Sequence, residues 1–225
     1  MKKLSHENNF HYLFTALMLL LFSMALLHQI QTPWLNNIIE LIILLVLLVG
    51  AHTLQTDKPW RWTVYFMALT LIVFVSMQKM FQTTFIVEYF HLFILLFFFI
   101  GSFKLSFKQI IMSTEINQNM LVGSIVLYLL LGLIWTIFYL LLLNISPEAF
   151  NGLESLPWQE NFSRVAYYSF VTLTTLGYGD ISPRNSVSEF FVYSEAIVGV
   201  FYMAIIVSSM VSARLNTKSK HSKGK

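Results

Sequence analysis

Seven consecutive residues, Thr174-Thr175-Leu176-Gly177-Tyr178-Gly179-Asp180, form the part of the chain best suited to chemistry, and that chemistry concerns a bare cation. A potassium ion stripped of water needs oxygen ligands in place of its hydration shell, and stacked backbone carbonyls aimed at one axis supply them. Successive carbonyls share a direction only when residues alternate between ordinary and left-handed dihedrals, a region that glycine visits at least cost. Gly177 and Gly179 meet that need. The carbonyls of Thr175, Leu176, Gly177, Tyr178 and Gly179 are therefore the expected ion ligands, K+ sitting at Thr175, Leu176, Gly177 and Tyr178. The Thr175 hydroxyl adds an oxygen at the inner end. One chain supplies a quarter of each ion cage, so closure calls for a homotetramer around a fourfold axis. No cofactor is called for beyond the permeant ion.

Such a segment has to be held at membrane depth, and the rest of the sequence is built for that. Of the 225 residues 56% are hydrophobic, 21 are phenylalanine and only 11% are charged, more apolar surface than a water-soluble globule of this size can hide. Apolar runs near the length of a bilayer-spanning helix occur at 11–28, 34–54, 60–77, 85–101, 119–143 and 189–213. Six spans follow. The first is longer than a signal-peptide core and has no small-x-small cleavage pattern, so it is read as retained. The fold class expected is an all-α integral membrane protein: a four-helix transmembrane bundle, then a two-helix pore module with a re-entrant pore helix and selectivity filter.

Between the fifth and sixth spans lies a connection of about 45 residues, too long for a turn. Its apolar stretch at 162–176 is too short to cross. Pro157, Asn161 and Ser163 precede it as start signals, and Gly177 and Gly179 end it. A half-helix that dips into the membrane and returns as extended chain fits, because irregular backbone survives at that depth only where it lines a polar path. The C-terminal end of that half-helix, near Thr174, carries partial negative charge toward a cation on the axis. Outside it, Asp180 with Glu148, Glu154 and Glu160 makes an acidic vestibule.

Lys2, Lys3, Lys58, Arg61, Lys104, Lys108, Arg214, Lys218, Lys220, Lys223 and Lys225 fall on one side of the spans, and Lys79, Arg164 and Arg184 on the other. Both termini are thus expected in the cytoplasm, in a multi-pass protein of a plasma membrane, the bacterial inner one. Trp34, Trp60 and Trp62 read as headgroup-level anchors at span ends. The stretch 102–118 reads as an amphipathic cytoplasmic connector between a bundle at 1–117 and a pore domain at 118–213, and 214–225 as a basic tail. The absence of cysteine excludes disulfides and thiolate metal sites. No paired base and nucleophile and no metal-spaced histidine set is present, so no enzyme is expected and no nucleic-acid partner is needed; the partners are lipid, K+ and further copies of the chain.

The string Thr172-Leu173-Thr174-Thr175-Leu176-Gly177-Tyr178-Gly179-Asp180 resembles the signature sequence of the potassium channel family. The resemblance covers 119–213 well and the first four spans only in their number. It implies a selectivity filter at 175–179, supported by Tyr167, Tyr168, Thr172, Thr174 and Asp180. Tyr167 and Tyr168 stand where many relatives have a tryptophan pair, Val171 where some have a glutamate, and Leu176 where the family usually has valine, with the bulkier side chain expected against the pore helix. The aromatic pair implies a cuff in which Tyr167 hydrogen-bonds Asp180 and Tyr168 packs near Tyr178. Gly199, twenty-one residues after Tyr178, matches the family's inner-helix hinge, with close packing by a small residue as the alternative.

Glu195 is an ionisable group inside a span, expected to hydrogen-bond the pore helix behind the filter, to face a water-filled cavity or to sit at a span end near the interface, with a part in gating in the first two cases. Glu40, Glu88 and His91 are snorkelling groups or a small polar site, and Phe97-Phe98-Phe99 is lipid or packing surface. The fourth span has no lysine or arginine, which predicts little voltage dependence. The rival readings are a non-selective cation channel, a potassium transporter subunit and a non-conducting accessory membrane protein.

Overall fold

The computed structural model describes residues 9–30, 35–53, 58–81, 85–112, 118–154 and 156–208. Lys2, Lys3, Trp34, the connector residues 113–117 and the tail from 214 lie outside them, as do the side chains of Glu40, Lys58 and Lys79. Helices α1 (Asn9–Ile30), α2 (Leu35–Thr53), α3 (Lys58–Phe81), α4 (Phe85–Ile111) and α5 (Gln118–Ile145) run in order. A short strand β1 (Phe150–Asn151), helix α6 (Trp158–Leu173), strand β2 (Ser182–Pro183) and helix α7 (Ser186–Phe201) follow, and α7 passes into a π-helical turn over Tyr202–Val207. The chain is an all-α membrane protein. Among the described residues α1, α4, α5 and α7 hold windows long and apolar enough to cross a membrane, while the described apolar segments of α2 and α3 are shorter, 41–50 and 60–73.

The core is a large apolar cluster that runs from α1 to α6, beside a smaller one of Leu127, Leu131, Leu173 and Tyr202. Phe10, Leu13, Leu17 and Leu20 of α1, Leu92, Leu95, Phe98 and Phe99 of α4 and Leu130, Leu133, Ile137 and Leu140 of α5 are buried in it. These positions recur every three or four residues, so each helix turns one stripe inward. Phe98 and Phe99 are buried and Phe97 is exposed, which divides the triple phenylalanine between packing and surface. Helices α1 and α4 both pack on α5. At one end of that seam, buried Asn119 donates from its side-chain amide to the Asn9 side-chain oxygen at 2.7 Å and accepts from the Phe10 amide at 3.1 Å. A polar pair in apolar surroundings fixes the register of α1 on α5, because any slip leaves buried amides unpaired.

Four expectations change. Residues 102–111 are not a separate connector but the continuation of α4. No breaker follows Gly101, Ser102 and Ser106 are buried on one face, and Phe103 stacks on Phe107 one turn later at 5.9 Å. Trp60 is not a headgroup anchor, since its indole packs over Gly101 of α4; Trp62, 73% exposed, fits the anchor reading. The pore-side half-helix starts at Trp158, earlier than the caps Asn161 and Ser163 imply. Pro157 fixes the entry φ at −50°, the amides of Glu160 and Asn161 donate to its carbonyl, and Asn161, buried in the helix, donates backwards to the carbonyls of Glu154 and Leu156. Helix α7 likewise begins at Ser186, where Asn185 and Ser188 form a reciprocal capping box.

Candidate ion filter and its support

Helix α6 has 16 residues, about 24 Å of rise, and ends where the glycine string begins. The chain then turns back on the helix that leads into it. The amides of Thr174 and Thr175 donate to Phe170 and Thr172, and those of Leu176 and Gly177 both donate to the Val171 carbonyl, at 2.9 and 3.3 Å. With these donors drawn toward α6, the strand's own carbonyls are left for another partner. Left-handed dihedrals fall at alternate residues: Thr175 at φ 60°, Gly177 at 56° and Gly179 at 80°. Residues 174–180 are all exposed in the single chain, Tyr178 by 66%. Thr175 went unrecognised as left-handed in the sequence. A β-branched residue there is an outlier that persists only when its surroundings impose it, and such residues gather at functional sites.

The aromatic support differs in part from the family-based expectation. The Tyr167 phenol lies beside the Asp180 carboxylate, and its ring stacks on Tyr178 at 6.5 Å and 9°. Tyr168 does not pack near Tyr178 within the chain. On a helix, neighbouring residues point about 100° apart, so Tyr168 faces away and sits between Tyr139 of α5 and Phe150 of β1, at 5.3 and 5.5 Å. Thr172 adjoins the Tyr168 phenol, and Thr174 donates to Phe170 O at 2.6 Å. Leu176 is 55% exposed and does not bury against α6 within the chain. The nearness of the Tyr167 phenol to Asp180 leads to an expected result: Tyr167→Phe shortens sustained current during prolonged opening, read from decay under steady drive, and identical decay in parent and variant removes that contact from the account.

The outer end is strapped. Phe150 pairs with Pro183 and Asn151 with Ser182 in a two-residue antiparallel ladder that joins the loop before α6 to the segment after Asp180. The Arg184 amide donates to Ala149 O, and the Arg164 guanidinium to Gly152 O. Glu148 forms an ion pair with Arg184 at 3.1 Å, so it adds little to an acidic vestibule; Glu154, Glu160 and Asp180 remain exposed. Farther out on α4, Glu88 and His91 are buried, the His91 ring lying 6.2 Å from Trp158 at the start of α6.

Behind the filter, α5 offers one face to α6 and α7. Tyr128, Gly132, Trp135 and Tyr139 repeat at helical spacing along it. Tyr128 donates to the Leu173 carbonyl at the end of α6, and Trp135 to the Phe191 carbonyl of α7. Tyr139 and Ser169 each lie 2.5 Å from one oxygen of Glu195, which is completely buried. Glu195 therefore hydrogen-bonds the pore helix and does not open on a cavity. Gly199 touches the end of α6 so closely that an added Cβ would lie 2.1 Å from Leu173 O, which supports the packing role. Tyr202, three residues on, donates to Ser124 O and opens the π-helical turn. Tyr128, Tyr139 and Ser169 were missed in the sequence, because what joins them is contact between three helices and no local pattern.

Residues 123–214 match a family model described as an ion channel. Two-pore potassium channel 2 of Arabidopsis thaliana is 31% identical over 108 residues, 48% of this chain and 21% of that protein. Two-pore potassium channel 3 of the same plant is 36% identical over 55 residues, 24% of this chain and 13% of that protein. Two pore potassium channel c of Oryza sativa subsp. japonica is 41% identical over 46 residues, 20% of this chain and 10% of that protein. The matched stretches thus span about a fifth or less of these curated relatives. No solved structure matches.

Proposed function

We propose that this chain, whose residues 123–214 match an ion channel family model, is a potassium channel subunit, and that four copies assemble into a potassium-selective pore that conducts passively, with 175–179 as its filter. The observation that carries the reading is the alternation of left-handed dihedrals at Thr175, Gly177 and Gly179 in an exposed strand at the end of a half-helix. Each carbonyl of such a strand is a hard oxygen without a hydrogen-bond partner of its own, and four around an axis replace the water shell of a permeant ion. The exposed faces of Tyr178, Phe190, Tyr193 and Ile197 fit burial against further copies or lipid. Both termini are cytoplasmic in this reading, with the chain in a plasma membrane.

The test is current through purified protein in a planar bilayer with unequal potassium and sodium. The reversal potential is expected to follow the potassium gradient; one that ignores it favours a non-selective channel, and no current favours an accessory role. The same recording reads voltage dependence. Moving one elementary charge through 100 mV is worth about 2.3 kcal/mol, so steep gating needs several charges within the field. From 85 to 103 α4 carries no lysine or arginine, and Lys104 and Lys108 stand near its end. A shallow conductance-voltage curve is expected, and a steep sigmoid overturns it.

A further inference from the structure

We propose that Glu195 is a positioning residue for the filter, acting as an uncharged acid that ties α7 to the back of the pore helix. The inference rests on the channel reading above. A count of hydrogens carries it. Ser169 Oγ lies 2.5 Å from Glu195 Oε1 and 2.7 Å from the Gly132 carbonyl oxygen of α5. Both distances are hydrogen-bonded, but a serine hydroxyl has one hydrogen to give. The Gly132 carbonyl has none. If Ser169 donates to Gly132, the hydrogen in the contact with Glu195 must sit on the carboxyl group.

The remaining bonds then close. Glu195 donates through Oε1 to Ser169, Ser169 donates to Gly132, and Tyr139 donates to Glu195 Oε2 at 2.5 Å. An ionised Glu195 gives a poorer arrangement, since Ser169 must abandon Gly132 O while two oxygens without a hydrogen between them face each other at 2.7 Å. It would also bury a full charge among hydroxyls. The other ionisable groups around Glu195 are the phenols of Tyr128 and Tyr139 on α5 and Tyr168 on α6, and among the described residues no lysine, arginine or histidine is paired with it. Buried charges are kept only where paired, and this one has no cation.

The consequence is mechanical. Three helices meet at one carboxyl, which lies one helical turn before Gly199, and Ser169 stands two residues before Val171, whose carbonyl holds the amides of Leu176 and Gly177. Displacement of α7 is carried through Glu195 to Ser169 and so to the acceptor on which the filter turns.

Full-length parent, Glu195→Gln, Glu195→Val, Ser169→Ala and Tyr139→Phe are to be reconstituted and their sustained potassium currents compared. The glutamine keeps one acceptor for Tyr139 and one donor for Ser169, so it is expected to match the parent. The other three are expected to lose current faster, and raised external potassium to slow that loss, because an ion bound in an intact filter stabilises it. A purely structural defect would not respond to external potassium. Currents from Ser169→Ala and Tyr139→Phe equal to the parent overturn the proposal, as does a glutamine variant that decays like the valine one. If the valine variant fails to assemble, the two hydroxyl deletions still decide. Infrared spectroscopy of the purified protein separates this inference from the channel reading. A protonated-carboxyl stretch lost in Glu195→Gln supports an uncharged Glu195 whether or not the protein conducts, and no such band overturns it.

Discussion

Gly177→Ala is expected to abolish selective potassium current while leaving the protein in the membrane. Gly177 sits at φ 56°, with nothing within 4 Å of where a Cβ would point, so the effect comes from the backbone and not from a clash. Holding an L-residue in the left-handed region costs about 1–2 kcal/mol. Four subunits around one axis multiply this to roughly 4–8 kcal/mol against the conducting arrangement. Since about 1.4 kcal/mol is tenfold in an equilibrium, a fall of roughly a thousandfold or more in selective current is expected. Reconstituted flux at matched protein density measures it. Flux within a factor of about two of the parent, where the strain predicts about three decades or more, would remove Gly177 from the filter.

The second large effect is expected at Gly199, and it has a different origin. There φ is ordinary, but a methyl group would stand 2.1 Å from the Leu173 carbonyl oxygen and 3.0 Å from its carbon, both backbone atoms that cannot rotate aside. Overpacking of this kind costs about 1–3 kcal/mol at each site. Gly199→Ala is therefore expected to lower the melting temperature of the detergent-solubilised protein by about 2–12 °C, on the scale of 2–4 °C per kcal/mol. A hinge without close contact predicts the opposite pattern: unchanged melting and altered open probability. Melting curves beside single-channel records separate the two.

These two glycines also mark how far the sequence could be read. Gly177 was legible because its reason is local: a left-handed residue in a string whose neighbours alternate, needing no knowledge of what packs nearby. Gly199 left two readings open, since contact with Leu173 O is a fact about a residue 26 positions away. The long helices were legible from apolar run length, yet their ends were not. The separate connector after residue 101 was an error of composition, because exposed Lys104 and Lys108 are compatible with a helix that continues and buries Ser102 and Ser106 on its other side. Glu195 was identified as needing a partner, but Tyr139 and Ser169 could be found only once three helices were side by side. Tyr168 was expected near Tyr178 and within one chain faces Tyr139 and Phe150, because the family's aromatic pair says which residues are aromatic, not which way each faces.

Helix α5 runs for 28 residues without an aspartate, glutamate, lysine or arginine, a rise of about 42 Å set against a hydrocarbon core of about 30 Å. A rod longer than its solvent is deep leans over, or the lipid around it stretches, each at a modest cost for every ångström of mismatch. This rod is also the one that carries Tyr128, Gly132 and Tyr139 against the back of the pore helix. Its lean is therefore not a private matter between helix and lipid. Acyl chain length sets the angle at which those three contacts meet α6 and α7, and the thickness of the host membrane becomes a variable that the filter feels through its scaffold.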